Sequence, residues 1–195
     1  MQILKHSELV ETPWKNGGGI TRHIARGMGA TKAAWTISRA DVAGDGPFSD
    51  FSGMMRVLTV VSDGVMALES PVGTLRAEPW KPLHFDGGWQ IHSRLLDGPL
   101  TDLNLMFDPQ FCEGEVLTRQ GPLARQISRP APGILAFHIL SGAPRINGKE
   151  LIRGDSAIFG DADAEIRLDR DDALLELRVS YLDHSEAIRL CIAER

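Results

Sequence analysis

The sequence predicts an all-β protein built as a tandem of two related barrels, on three observations. Apolar and β-branched runs of strand length recur along the chain, turn chemistry separates them, and the two halves present their parts in the same order. In the first half the runs are 33–42 (AAWTISRADV), 56–61 (RVLTVV), 65–70 (VMALES), 89–96 (WQIHSRLL) and 101–107 (TDLNLMF). In the second they are 134–140 (ILAFHIL), 164–169 (AEIRLD) and 174–182 (LLELRVSYL). Between them stand AGDGP, SDG, DGG, LDGP, SGAP, NGK and RGDS, the Gly, Asp, Asn and Pro combinations of tight turns.

Superposing 56–107 on 134–182 sets the last strands in register, DLNLMF on ELRVSY, with Asp102 opposite Glu176 and Asn104 opposite Arg178. The expected division is therefore 1–110 and 111–195, with the linker in FDPQFCEGE. Closing each sheet into a barrel removes exposed edges, and opposing the barrels buries a shared apolar layer. A single large sandwich is the alternative source of such spacing. Only the end, DHSEAIRLCIAER, has helical character: Asp183 and Glu186 resemble a capping box, and Ala187, Ile188, Cys191 and Ile192 make an apolar stripe. In DLNLMF the period of two puts Leu103, Leu105 and Phe107 on one face and Asp102, Asn104 and Met106 on the other. Alternation leaves open whether Asn104 meets a pocket or water, whereas Glu176, Arg178 and Ser180 read as a solvent face.

At 195 residues and 43% hydrophobic, the chain buries a core of its own. A formal net charge of −5 argues against nucleic acid as a partner, since gripping phosphates needs clustered Lys and Arg. Neither an export signal nor a run of about 18 apolar residues is found, so no membrane partner and a cytoplasmic location are expected. Cys112 and Cys191 lie far apart and read as reduced thiols.

Two stretches carry candidate chemistry. In PWKNGGGITR the glycines follow Lys15 instead of preceding a Gly-Lys-Ser/Thr, and no helix signal follows, so neither a phosphate loop nor a dinucleotide fingerprint is present. Three glycines do permit close backbone approach, letting Lys15, Asn16 and Arg22 fold around a small anion or amide. The competing reading is an exposed loop anchored by Trp14. The second stretch, WTISRADVAGDGPFSDFSGMMR, carries Ser38, Arg39, Asp45, Phe48, Asp50 and Arg56 through a polar corner; the carboxylates have the competing reading of turn acceptors, and the arginines matter only if they converge on a cavity. Six isolated histidines, with no His-x-His, argue against a metal site, and Asp171 and Asp172 read as solvated turn charges. No nucleophile elbow or Cys–His pair is evident.

PWKNGGGITR, WTISRADVAGDGPFSDFSG and DLNLM together resemble the signature segments of the HutD/Ves family. The resemblance implies a cupin-type fold (an RmlC-like jelly roll, or double-stranded β-helix) as a tandem bicupin, associated with histidine utilisation or stress. It also implies a small-ligand pocket in the first barrel served by Trp14, Lys15, Asn16, Thr21, Arg22, Ser38, Arg39, Asp45, Phe48 and Asn104, with no metal or other cofactor. The chain departs from the family pattern at His23, where an acid is usual, and at Ser52, where Pro commonly precedes Gly53. The expected function is binding, without turnover, of a small carboxylate or imidazole-derived metabolite such as urocanate or formylglutamate, which limits histidine breakdown. The alternatives are a metal-free isomerase or hydrolase using Asp45 or His23 as base, and a protein interaction module.

Overall fold

The computed structural model of the chain describes residues 1–182 and 188–193. Its strands are β1 (Gln2–Leu4), β2 (Glu11–Pro13), β3 (Gly19–Met28), β4 (Ala33–Val42), β5 (Gly46–Pro47), β6 (Met55–Val60), β7 (Met66–Ser70), β8 (Gly73–Ala77), β9 (Leu83–Asp86), β10 (His92–Leu95) and β11 (Leu100–Phe107). They continue as β12 (Cys112–Gln120), β13 (Leu123–Ile127), β14 (Gly133–Ser141), β15 (Arg145–Ile146), β16 (Lys149–Glu150), β17 (Ser156–Phe159), β18 (Ala164–Leu168), β19 (Ala173–Tyr181) and β20 (Arg189–Ile192). Apart from a 3-10 turn at His6–Glu8, the described residues hold no helix, so the all-β expectation holds.

The strands form two pairs of sheets. In the first pair, β2-β3-β4-β11-β6-β9, extended by β20 beside β3, faces β5-β10-β7-β8. In the second, β1-β17-β14-β19-β12 faces β13-β18-β15-β16. The ends of the chain cross over: β1 pairs with β17 of the second unit, and β20 pairs with β3 of the first. A cut at 110/111 leaves each terminal strand on the other side of the division from the sheet it completes.

Three apolar layers result. One fills the first unit between its sheets, with Leu58, Val60, Met66, Leu68 and Phe85. Another fills the second, around Phe137, Phe159, Ile166 and Leu174. The largest lies between the two big sheets and joins Trp35, Ile37, Val57, Leu103 and Leu105 to Ile134, Ala136, Leu175, Leu177 and Val179. The central strands of both large sheets, β4, β11, β14 and β19, are thus covered on each face, and period-two alternation decides which of their residues enter a barrel and which enter the interface.

Several expectations need correction. Residues 189–192 are a strand, with Leu190 and Ile192 packed on the interface layer; Asp183–Ala187 lie outside the described residues, so the capping box does too. The stretch FDPQFCEGE holds the connector 108–111, and its residues from Cys112 on belong to β12, where Cys112 pairs with Tyr181. The glycine-rich opening leads into a ten-residue strand, β3, with a bulge between His23 and Ala25. Asp172 is buried and accepts hydrogen bonds from the Ala143 and Asp169 amides, 2.8 and 2.7 Å. Glu176, assigned to a solvent face, is 1% exposed and paired with Arg119 and Arg178. Both thiols are free, in agreement with the reading of reduced cysteines, and burial pushes that of Cys112 up to about 12. No helix among the described residues is long and apolar enough to cross a membrane.

Trp35 shows how tightly the interface is built. It is fully buried, its Nε1 donates to the Tyr181 hydroxyl at 3.3 Å, and the indole occupies the space a Cβ at Gly27 would need, 2.0 Å from Nε1. Gly27→Ala should therefore lower stability by about 1–3 kcal/mol, the usual cost of overpacking, measured by urea denaturation.

Candidate ligand cavity

At one end of the first barrel the apolar filling stops and a cavity of about 920 Å³ begins. Strand parity builds its walls. On β4, Thr36, Ser38 and Ala40 face inward; on β11, Asp102, Asn104 and Met106; on β6, Arg56; on β3, Thr21 and His23. Antiparallel register aligns them across the sheet, placing Ser38 between His23 and Asn104, and Met106 between Thr36 and Arg56. The opening segment supplies Trp14, Lys15 and Asn16, and the corner after β5 supplies Phe48 and Phe51.

The Gly17–Gly19 bend is ordered by its own bonds. The Trp14 indole donates to Thr21 Oγ1 at 2.7 Å, the Trp14 amide reaches the Gly19 carbonyl, and Asn16 Oδ1 accepts from the Gly18 amide at 3.0 Å. Gly17 takes φ +72°, and a Cβ on Gly19 would meet the Asp41 carbonyl at 2.4 Å. Those positions need glycine.

Arg56 dominates the cavity's chemistry. It is 6% exposed, and its Nη2 donates to Asn104 Oδ1 at 2.7 Å. Its guanidinium carbon lies 4.7, 5.2 and 5.5 Å from the ring centroids of Phe48, Phe85 and Phe51. Burial lowers its pKa to about 10, partly opposed by Asp102, so it is a cation at neutral pH. Nε is buried with no hydrogen-bond partner, and Nη1 makes no bond among the described residues. Thr36 Oγ1 on the same wall is also unpartnered.

Asn104 links this cation to an acid: its Nδ2 donates to Asp102 Oδ1. Only one amide orientation serves both neighbours, because a guanidinium only donates and an ionised carboxylate only accepts. Asp102 is 2% exposed, and burial pushes its pKa up to about 7, against the pull of Arg56 and the Asn104 hydrogen bond and with a further push from Asp41. At the mouth, burial followed by the Arg26 charge holds His23 below the ordinary imidazole value.

Of the ten residues expected at a ligand, seven line this cavity: Trp14, Lys15, Asn16, Thr21, Ser38, Phe48 and Asn104. Arg22 does not; one residue out of parity with Thr21 and His23, it points to the opposite face and binds Glu11 and Asp41. Arg39 shares that face and contacts His6 Nδ1 at 3.0 Å and Asp41 at 3.8 Å. Asp45 accepts the amide of Leu95 at the end of β10, at 2.8 Å, and Asp50 closes its own turn on Ser52. The sequence alone made Arg56 matter only if it met a cavity, which it does, and put Asp102 on the Asn104 face without a role; Thr36 was not singled out. Their signal was parity, since Arg56 shares its face with Leu58 and Val60.

The second barrel offers a contrast. Glu176, the counterpart of Asp102, receives Arg119 at 2.8 Å and Arg178 at 3.0 Å, so its carboxylate is fully engaged. Asp102 has an amide where Glu176 has two cations. The sign of the resulting linkage follows from its raised pKa: the folded protein holds a proton that the unfolded chain releases near pH 4, and the stability this contributes is lost as pH rises through about 7. Asp102→Asn should therefore gain stability relative to the parent protein at pH 8, and the gain should shrink toward pH 4, in denaturant melts across that range.

Among the described residues no cluster of three or more His, Cys, Asp or Glu side chains is placed to hold a metal ion. The cavity itself brings His23 and Asp102 alongside the Arg56 cation, a donor set that does not fit a cupin-type metal centre.

Comparison with known proteins places this geometry. HutD from Pseudomonas fluorescens SBW25 superposes with a TM-score of 0.81 at 27% identity, over 93% of this chain and 98% of that one. A Pseudomonas aeruginosa PAO1 protein of unknown function, PA5104, follows at 0.77 and 25%, over 92% and 98%. Protein Ves of Citrobacter koseri is 32% identical over 80% of this chain and 81% of its own length. An uncharacterised 21.2 kDa protein from the hutC 3′ region of Pseudomonas putida is 36% identical over 56% of this chain; the match spans 60% of that relative. An Escherichia coli pirin in complex with nickel(II), at 12% identity and a TM-score of 0.64, shares the fold alone. The HutD family model matches residues 6–176, nearly the whole of both barrels and every wall of the cavity, and the chain belongs to the HutD family.

Proposed function

We propose that the first barrel binds a small carboxylate metabolite, without transforming it, and that this binding modulates histidine utilisation in the cytoplasm. The observation that carries the reading is Arg56, a buried cation with one hydrogen bond and uncommitted donors on the wall of a large cavity. Leaving a buried donor unmade costs about 1–3 kcal/mol, and a carboxylate is the planar acceptor that a guanidinium fork matches. The volume of about 920 Å³ is within the range of metabolite sites. Trp14, Phe48 and Met106 offer apolar walls for the body of the ligand, while Lys15 and Asn16 serve a second polar end at the rim. Urocanate and formylglutamate, both carboxylates of histidine breakdown, suit that arrangement.

A second reading has its own observation. A carboxyl group near pKa 7 inside a cavity is poised for general base catalysis, so an isomerase or hydrolase would use Asp102, since Asp45 lies off the cavity wall and accepts the Leu95 amide. Product formed from urocanate or formylglutamate, and lost in Asp102→Asn, would establish it and displace the binding-only reading.

The binding test is a thermal-shift panel of urocanate, formylglutamate, formate and histidine; a ligand at a hundred times its dissociation constant adds about 2.7 kcal/mol. Arg56→Met should weaken carboxylate binding by about thirtyfold or more, the consequence of losing about 2 kcal/mol of buried charge-assisted contact. Lys15→Ala, at the exposed rim, should cost only a few-fold, under about 1 kcal/mol. Affinity unchanged in Arg56→Met would remove the assignment.

A further inference from the structure

We propose that Asp102 determines the charge selectivity of this cavity: when a carboxylate enters beside Arg56, Asp102 takes up a proton from solvent. The inference rests on the carboxylate-binding reading above. Without ligand and above pH 7, the wall holds one guanidinium and one carboxylate joined through the Asn104 amide, and among the described residues neither makes an ion pair. Their charges cancel across that bridge. An entering carboxylate would leave two anions facing one cation in a site where both protein groups are more than nine-tenths buried. An uncompensated buried charge is among the most costly features a protein interior can hold. Protonating one carboxyl restores neutrality: Arg56 stays cationic, the ligand stays anionic, and Asp102 becomes a neutral acid that still accepts from Asn104.

The surrounding charges leave Asp102 as the group to respond. The ionisable side chains lining the cavity are Lys15 from the opening bend, His23 from β3, Arg56 from β6 and Asp102 itself. On β4 the nearest is Asp41, which lies on the opposite face with Arg22 and Arg39 and whose charge adds to the pressure on Asp102 to be neutral. Lys15 is exposed and makes no ion pair among the described residues, so it offers the rival way to balance an anion with no proton taken up. His23 titrates below its usual range and is already neutral above pH 7, which separates its contribution from that of Asp102. In the second barrel, Arg119 and Arg178 hold Glu176 in a complete ion-pair cluster, and no such response is built in.

The test uses the full chain with two probes, formate and formylglutamate, whose carboxylates stay ionised from pH 6 to 9. Tryptophan fluorescence follows binding through Trp14 on the cavity wall. The expected result is a dissociation constant that weakens about tenfold per pH unit above 7, with a flat profile in Asp102→Asn and an undiminished slope in His23→Gln. Calorimetry of the unaltered protein at pH 8, in two buffers of different ionisation heat, should count about one proton taken up per ligand, which holds the test should Asp102→Asn fail to fold. A flat profile with zero protons would overturn the proposal in favour of Lys15. A slope that survives in Asp102→Asn, or vanishes in His23→Gln, would overturn it as well. If neither probe binds at any pH, this inference falls together with the carboxylate-binding reading; binding without proton uptake removes this inference alone.

Discussion

A guanidinium stripped of water needs partners, and Arg56 has been given only some of them. One amide and three phenyl rings hold it in place, and none of these neutralises its charge. Cation–π contacts contribute about 0.5–2 kcal/mol each and fix the plane of the group, but they leave its donors free. The nearest compensating charge, Asp102, is reached through Asn104 instead of directly. An incompletely satisfied cation of this kind stabilises the empty protein poorly and is suited to an anion that completes it.

The fold keeps that cation from finding an easier partner. The seven-stranded sheet has a barrel interior on one face and the inter-barrel layer on the other. Alternation sends Arg22, Arg39 and Asp41 to the interface side, where they bind one another, Glu11 and His6. Arg56, Asp102 and Asn104 go inward, beyond reach of those carboxylates. The crossing ends reinforce this separation: β1 and β20 each complete the sheet of the other half, which ties the barrels together and fixes the interface face that leaves the cavity residues no alternative.

Much of the fold was legible in the chain. Runs such as ILAFHIL and TDLNLMF carry β-branched and alternating residues between unambiguous turns, and they are strands β14 and β11. β3 was not legible, because GGGITRHIARGM mixes glycines with charges, and its strand character comes from pairing with β2, β4 and β20. The final segment carries a helix-like stripe, yet its last part pairs as a strand because β3 offers an open edge to the same residues. In the candidate site, residues brought by the opening bend and by β11 could be found from motif and alternation. Choosing between Arg22 and Arg56 could not be done locally, since each is a cation within a strand and alternation alone does not say which face turns inward. That choice depends on which face of the sheet meets the second barrel, a property of the whole assembly.

The most direct measurement is a crystal structure of the chain grown or soaked with formylglutamate. The account predicts a ligand carboxylate in the first barrel within about 3 Å of the Arg56 guanidinium, with the Arg56–Asn104–Asp102 chain intact. Ligand density seated against Arg22 and Arg39 on the interface face, or in the second barrel beside Arg178, with the Arg56 cavity holding only water, would contradict it.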